Sequence, residues 1–298
     1  MPELPEVETV RRTLAPALGG CVTKVWTSGK SLHLGREVDA SALGDAARGA
    51  KLEAIERIGK YLILAFSGRD QVVLVHLGMS GRLWLQRAGA ETDPHVHVRF
   101  FFEGRGGDID RELRFRDPRR FGLVTTARRG FEREHPALSR LGVDPLVARA
   151  QGGGKSRLAQ ALVSGFRGRT IPLKAALLDQ RTVAGIGNIY ASEALFEARL
   201  DPALPAKALT TSGATRLARA IDDVLLRALE NGGTSLRDFV AGDGTSGQNA
   251  EYLRVYDRGG AACPRARCKG TIERAVMQGR ATYFCPRCQR RASTAETP

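Results

Sequence analysis

The chain has 298 residues, 42% hydrophobic and 26% charged, enough for two domains with a full core. Its 46 Lys and Arg against 32 Asp and Glu give a formal net charge of +14, which favours a polyanionic partner, nucleic acid before membrane. No apolar run nears the ~20 residues of a membrane span and no signal-peptide pattern opens the chain, so membrane and secreted roles are set aside.

The first eight residues, Met1-Pro2-Glu3-Leu4-Pro5-Glu6-Val7-Glu8, are the most informative. Removal of the initiator methionine leaves the secondary amine of Pro2 at the terminus, beside Glu3 and near Glu6. An α-amino group titrates near ~7.7–8.0, so much of it is an uncharged nucleophile at neutral pH. Pro5 suits a first helical turn, and Arg11 and Arg12 place positive charge at the other end. An ordinary surface helix would start the same way. From 22 to 126, short apolar runs cut by turns predict strands at 22–26, 52–58, 61–66, 71–77, 81–85, 96–102, 113–116 and 122–126, a β-sandwich or barrel. The stretch 128–154, with charge, proline and Gly152-Gly153-Gly154, reads as a linker. Helical periodicity follows at 158–163, 173–178, 188–198 and 211–230, the last with Leu217, Ile221, Val224, Leu225 and Ala228 on one face.

Within this frame some polar residues exceed structural need. His76-Leu77-Gly78-Met79-Ser80-Gly81 and Asp117-Pro118-Arg119-Arg120-Phe121-Gly122 each follow a strand. A Met, an Arg and a Phe on adjacent loops could fill the gap left by an extruded nucleotide, or simply plug a core. Gly185-Ile186-Gly187-Asn188 enters a helix, with Asn188 as N-cap and the backbone amides offering a phosphate site. Cys263, Cys268, Cys285 and Cys288 form two close pairs with zinc-ligand spacing on a hairpin; two disulfides are the alternative, disfavoured in a reducing compartment. Cys21 stands alone and reads as a buried small hydrophobe.

The segments MPELPEVETVRR (1–12), RIGKYL (57–62), HLGMSGRL (76–83), RFRDPRRFG (114–122), AGIGNIYASEALF (184–196) and GGTSLRDF (232–239), with the four-cysteine module, resemble the formamidopyrimidine-DNA glycosylases from Pro2 to about residue 290. The resemblance implies an α+β multidomain fold: an N-terminal catalytic β-sandwich (1–130), a linker (131–155), a helix–two-turn–helix DNA-binding domain (156–250) and a C-terminal zinc-finger β-hairpin domain (251–298). It implies one structural Zn2+ per chain on Cys263, Cys268, Cys285 and Cys288. It implies a monomer acting on damaged double-stranded DNA, in the bacterial cytoplasm at the nucleoid. By the same resemblance Pro2 is the nucleophile that attacks the sugar C1′, Glu3 the acid/base, Glu6 a supporting carboxylate, Lys60 the lysine of β-elimination and Arg280 the phosphate-gripping arginine that supports δ-elimination. Asn188 would pin phosphates with Arg280, and Met79, Arg119 and Phe121 would intercalate. His95 and Arg169 align with further DNA contacts, and His76, Lys174 and Tyr256 with backbone contacts.

The resembled activity is excision of oxidised purines, 8-oxoguanine and formamidopyrimidines, with nicking by β,δ-elimination. An endonuclease VIII-like enzyme for oxidised pyrimidines and a catalytically silent damage-binding relative are the alternatives; MPELPEV and the Met/Arg/Phe set favour the purine group. Three departures stand out. The first cysteine pair is two residues wider, Asp257 replaces an expected glycine, and the loop 243–249 lacks the aromatic expected after its second glycine.

Overall fold

A computed structural model describes residues 1–33, 35–91, 93–104, 109–235 and 247–289. The turn residues 105–107, most of the loop 243–249 and the end of the zinc module lie outside these. The chain forms two compact units, 1–139 with 228–250, and 140–227 with the chain from Glu251 onward.

In the first unit, helix α1 (Leu4–Thr13) precedes β1 (Val22–Thr27), α2 (Ala40–Ala47), β2 (Leu52–Ile58), β3 (Tyr61–Phe66), β4 (Gln71–His76), β5 (Arg82–Arg87), β6 (Val96–Glu103), β7 (Ile109–Arg116) and β8 (Leu123–Arg128). They make two four-stranded antiparallel sheets, β1-β6-β7-β5 and β2-β3-β4-β8, so the sandwich reading holds over the barrel. One core joins them, drawing Phe66, Val73 and Val75 from one sheet and Phe100, Phe102, Leu113 and Phe115 from the other. Each such side chain contributes roughly 1.5–3 kcal/mol on burial. The β3 run Tyr-Leu-Ile-Leu-Ala-Phe is buried from Leu62 onward, as its unbroken apolar sequence requires. Val7 and Val10 of α1 and its C-cap Leu14 enter this core, which fixes the helix that Glu3 caps. Helix α2 was not expected. Its Asp39 caps Ala42 N at 2.9 Å, and its Ala-Ser-Ala-Leu-Gly sequence is too short for a clear period.

The second unit holds α3 (Pro145–Ala150), α4 (Gly154–Phe166), α5 (Leu173–Leu177), α6 (Asn188–Glu197), most of α7 (Thr211–Glu230) and the hairpin β9 (Glu273–Met277)–β10 (Arg280–Phe284). Helix α3 occupies part of the stretch read as linker, started by Asp144, whose carboxylate accepts from Leu146 N and Val147 N ahead of a proline at the first turn. Leu217, Ile221, Val224 and Leu225 of α7 are all buried, as their spacing requires. Phe196 from α6, Val255, Ile272 and Tyr283 pack around two of the cysteines. Among the described residues no helix is long and apolar enough to cross a membrane.

Candidate active site and nucleic-acid interface

In the first unit, Glu3 N-caps α1 and joins Glu6 in a reciprocal capping box, with Glu3 N donating to Glu6 Oε2 at 2.8 Å. The other Glu6 oxygen accepts from Thr234 N at 2.7 Å. Gly233, at φ +84°, holds a backbone conformation strained for any other residue, and a Cβ there would press on Glu6 Oε1 at 3.0 Å. Thr234 Oγ1 accepts from Asn249 Nδ2 at 2.8 Å, and Gly247 N donates to Ser235 Oγ at 2.9 Å. Glu6 therefore locks the start of α1 to Thr234, and through Thr234 to Asn249. Pro2, Glu3 (2% exposed) and Glu6 (1%) are buried, while Met1 is half exposed.

Lys60 is buried in the β2–β3 turn, after Gly59 at φ +59°. Arg57 braces that turn, donating from Nη1 to Gly59 O at 2.9 Å and from Nε to Glu8 Oε2 at 3.2 Å. Glu8 also accepts from Arg11 and Arg12. Burial would raise the Glu8 carboxyl, but Arg11, Arg12 and Arg57 together hold it below its usual value. Beside this turn His76 is pushed down to about 4, first by burial and then by the charges of Lys60 and His33. It is neutral at pH 7, stacked 4.7 Å from Tyr61, with Nδ1 accepting from Gly78 N at 3.2 Å.

The two loops that follow strands are tied by one carboxylate. Asp117, fully buried, accepts from Ser80 Oγ at 2.6 Å, Gly122 N at 2.7 Å and Arg119 N at 3.3 Å. Gly78 lies so close that a Cβ would stand 2.6 Å from Gly122 N. The loop tips carry Met79 and Phe121, 39% and 41% exposed, with the Arg119 guanidinium 4.8 Å over the Phe121 ring. His95 is exposed, and its carbonyl accepts from Asp117 N at 2.9 Å. Exposed large apolar groups at two joined loop tips suit insertion between bases. The sequence analysis gave Asp117 and Arg57 no role of their own, because each stands among other charged residues and its partners show only in the fold.

The second unit builds a different surface. Asn188 is the first residue of α6, not its N-cap, a position taken by Gly187. Its Nδ2 donates to Ala281 O at 3.0 Å and approaches Tyr256 OH at 3.5 Å, whereas its buried Oδ1 has no partner. Gln180, unforeseen, braces the preceding turn through Gly185 N and Ile186 O. Lys174 is 1% exposed, and its ammonium donates to Ala281 O at 2.8 Å and Thr282 Oγ1 at 3.1 Å. Lys174 and Asn188 thus converge on the carbonyl next to Arg280. Arg280 follows the tight turn of Gln278 (φ 46°) and Gly279 (φ 73°), and stands exposed at the hairpin tip. Tyr256 meets Tyr283 edge-on at 5.1 Å, and its backbone N donates to Glu193. Burial raises the Glu193 carboxyl, partly offset by three backbone donors, Arg254, Val255 and Tyr256. Arg169 pairs with Asp179 at 2.8 Å. Arg181 first, and Arg169 with it, hold that carboxyl well below its usual range. Asp257 adopts φ 60°, which explains the expected glycine; its carboxylate compensates by accepting from Tyr283 OH at 3.1 Å.

The Sγ atoms of Cys263, Cys268, Cys285 and Cys288 all lie within 4.8 Å of one another, with Cys263–Cys288 at 3.7 Å and Cys268–Cys285 at 3.8 Å. A tetrahedron with ~2.3 Å Zn–S arms has edges of about 3.8 Å, whereas a disulfide is near ~2.05 Å. Gly270 makes room, since a Cβ there would press on Cys285 Sγ at 2.7 Å. Arg267, at φ 63°, takes up the widened first pair. Cys21 is half-buried, not buried as expected, because it sits on the rim beside β1, bridged to Lys51.

A β-sandwich with a buried acid pair at a helix start, a helical unit and a four-thiolate hairpin define a zinc-bearing DNA-repair enzyme of one class. Residues 1–124 match the formamidopyrimidine-DNA glycosylase N-terminal domain, 141–240 its H2TH domain, and 260–291 the zinc finger found in FPG and IleRS. Formamidopyrimidine-DNA glycosylases of Rhodospirillum rubrum and Methylococcus capsulatus are each 43% identical, over 97% of this chain and all of theirs. The structure of MutM (Fpg) from Thermus thermophilus superposes with a TM-score of 0.80 at 40% identity, covering 97% and 98% of the two chains. Lactococcus lactis Fpg bound to DNA containing an abasic site gives 0.82 at 29% identity, covering 97% and 100%. The chain belongs to the formamidopyrimidine-DNA glycosylase family. It is a base-excision-repair DNA glycosylase of a bifunctional glycosylase/abasic-site lyase family, and its four cysteines form one structural zinc site.

Proposed function

We propose that the protein excises oxidised purines, 8-oxoguanine and formamidopyrimidines, from duplex DNA as a monomer, and then nicks the abasic site by β,δ-elimination in the bacterial nucleoid. The observation that carries this reading is the buried Pro2-Glu3-Glu6 start of α1, a nucleophile beside a positioned carboxylate at the positive end of a helix. With Met1 removed, the Pro2 nitrogen attacks C1′; the C1′–N bond breaks and the base leaves with its electron pair and a proton. Glu3 protonates the ring oxygen as the sugar opens, giving a cationic iminium. The iminium acidifies the 2′ proton, whose removal expels the 3′ phosphate; loss of a further proton expels the 5′ phosphate. Lys60 serves the β-elimination, with Glu6 as support.

Met79, Arg119 and Phe121 fill the vacated stack, and His95 and neutral His76 donate to the DNA near them. In the second unit Asn188, Arg280, Arg169 and Tyr256 hold phosphates, Arg280 by its bidentate fork. Lys174 contributes by holding the strand that carries Arg280. Zinc, when bound, fixes the hairpin. Purine specificity draws support from the Lactococcus lactis Fpg complexes, solved with Fapy-dG containing DNA.

The test is borohydride trapping on 8-oxoguanine:C and abasic duplexes. Adducts on both, mapped to Pro2, are expected. Trapping on an oxidised-pyrimidine duplex in place of 8-oxoguanine would move the protein to the endonuclease VIII-like group, and none on any duplex would refute the mechanism.

A further inference from the structure

The second unit has a cavity of about 520 Å³ that the reaction does not use, walled by the end of α6, one face of α7 and Arg254. Five arginines line it: Arg199, Arg216, Arg219, Arg227 and Arg254. Among the described residues Arg199, Arg216 and Arg219 make no ion pair; Arg216 donates only to Ser212 Oγ. Arg254 is fixed in place by Glu197 at 3.0 Å and by the Phe196 ring under its guanidinium at 5.4 Å.

Two local features here run against the stability of the helices that carry them. Arg216 and Arg219 are like charges three apart on one helix, which is mildly destabilising. Arg199 closes α6 in a left-handed conformation (φ 56°), with Arg199 N on Phe196 O at 3.1 Å and Leu200 N on Leu195 O at 3.0 Å. That pattern is the Schellman closure, where glycine is the unstrained choice. An arginine there adds steric cost, and its side chain lines the cavity.

We propose that this cavity is a docking site for a short acidic peptide segment of a partner protein. Asn188, the phosphate-facing start of α6, lies nine residues from Glu197, roughly 13 Å along the helix. Two carboxylates, Glu197 and Asp223, also line the cavity. A phosphodiester strand brings acceptors only and would meet them unfavourably. Glu197 is already held by Arg254 and Arg227, so a peptide brings acidic side chains for the remaining arginines and a backbone N–H donor for exposed Asp223. Arg216, Arg219, Asp223 and Arg227 share one face of α7 over roughly 16 Å, the span of about five extended residues.

The test uses the full-length zinc-loaded chain and a fluorescein-labelled ten-residue Glu/Ser peptide, read by anisotropy. Its Gln/Ser counterpart and a ten-nucleotide oligothymidylate serve as comparisons. The Glu/Ser peptide should bind, with or without saturating abasic-analogue duplex, and its Kd should rise tenfold or more in Arg199→Gly and in Arg216→Ser/Arg219→Ser. Arg199→Gly should melt no lower than the parent, since glycine suits that turn, and borohydride trapping should be unchanged in both variants. Four results would overturn the proposal: no peptide binding, binding indifferent to these arginines, displacement by the duplex, or tighter binding of the oligothymidylate through the same arginines.

Discussion

Asp117→Asn changes one atom and tests how the intercalating loops are held. The carboxylate accepts three donors, Ser80 Oγ, Arg119 N and Gly122 N, from a fully buried position. An amide turns one accepting oxygen into a donor, so at least one of these groups then faces another N–H. A hydrogen bond to a charged group contributes about 1.5–3 kcal/mol, and an unsatisfied buried donor costs about 1–3 kcal/mol. The two overlap, so the expected loss is about 3 kcal/mol. At about 2–4 °C per kcal/mol for a chain of this order, the melting temperature should fall by roughly 6–12 °C. The same change loosens the tips carrying Met79, Arg119 and Phe121. Excision from an 8-oxoguanine duplex, which needs the base extruded, should slow at least tenfold, while cleavage of a preformed abasic site should slow only a few-fold. A variant that melts within 2 °C of the parent and keeps the parental ratio of the two rates would refute the reasoning.

Glu6→Gln should slow excision and borohydride trapping on the 8-oxoguanine duplex about tenfold or more, because Glu6 accepts from both Glu3 N and Thr234 N; parental rates would show that neither bond matters. Lys174→Met should weaken duplex binding but leave the slope of log affinity against log salt unchanged, since the ammonium is engaged by Ala281 O and Thr282 Oγ1; a slope reduced by about one would make it a direct phosphate contact. His76 has its folded pKa lowered to about 4 from an unfolded value near ~6.5, so the unfolded chain binds the extra proton. Its contribution is present above pH ~6.5 and is lost as pH falls toward 4, at most about 3 kcal/mol, and His76→Gln should flatten urea-melt stability across that window. Stripping zinc with a chelator should release one ion per chain and abolish tight duplex binding while the first unit keeps its β-sheet circular dichroism.

Most strands of the first unit were legible because each is a short apolar run between glycine or charge-rich turns, whereas β7 was read only from Leu113 because Asp110, Arg111 and Glu112 break the run; α7 was legible because its apolar positions repeat every three or four residues. The cysteine spacing likewise announces a metal cluster. Helices α2 and α3 were not legible: each is under nine residues, and each is specified by one capping aspartate, Asp39 or Asp144, more than by a period. The engagement of Lys174 was invisible for another reason. Its partners are 107 and 108 residues away, and no local pattern tells a buried lysine from an exposed one. Asn188 was misplaced by one residue because Gly187 carries no side chain to mark the cap, although the extended backbone puts the cap there.

What long-range pairing adds is a division of labour among charges. In a chain with 14 more bases than acids, several carboxylates are withdrawn from the surface and spent on backbone N–H groups. Glu6 holds Glu3 and Thr234, Asp117 holds Arg119 and Gly122, and Glu193 holds Arg254, Val255 and Tyr256. Each of these segments carries or adjoins a residue assigned here to chemistry or DNA contact. A buried carboxylate meets several converging N–H groups without a donor of its own, which an amide or hydroxyl cannot match. Burying the acids also leaves the surface field to the arginines, so the devices that order the loops do not oppose the approach of DNA. The corollary is chemical: at these three positions an amide of equal size should be more damaging than its shape suggests, whereas an acid-to-amide change at exposed Glu134 or Asp223 should be nearly neutral.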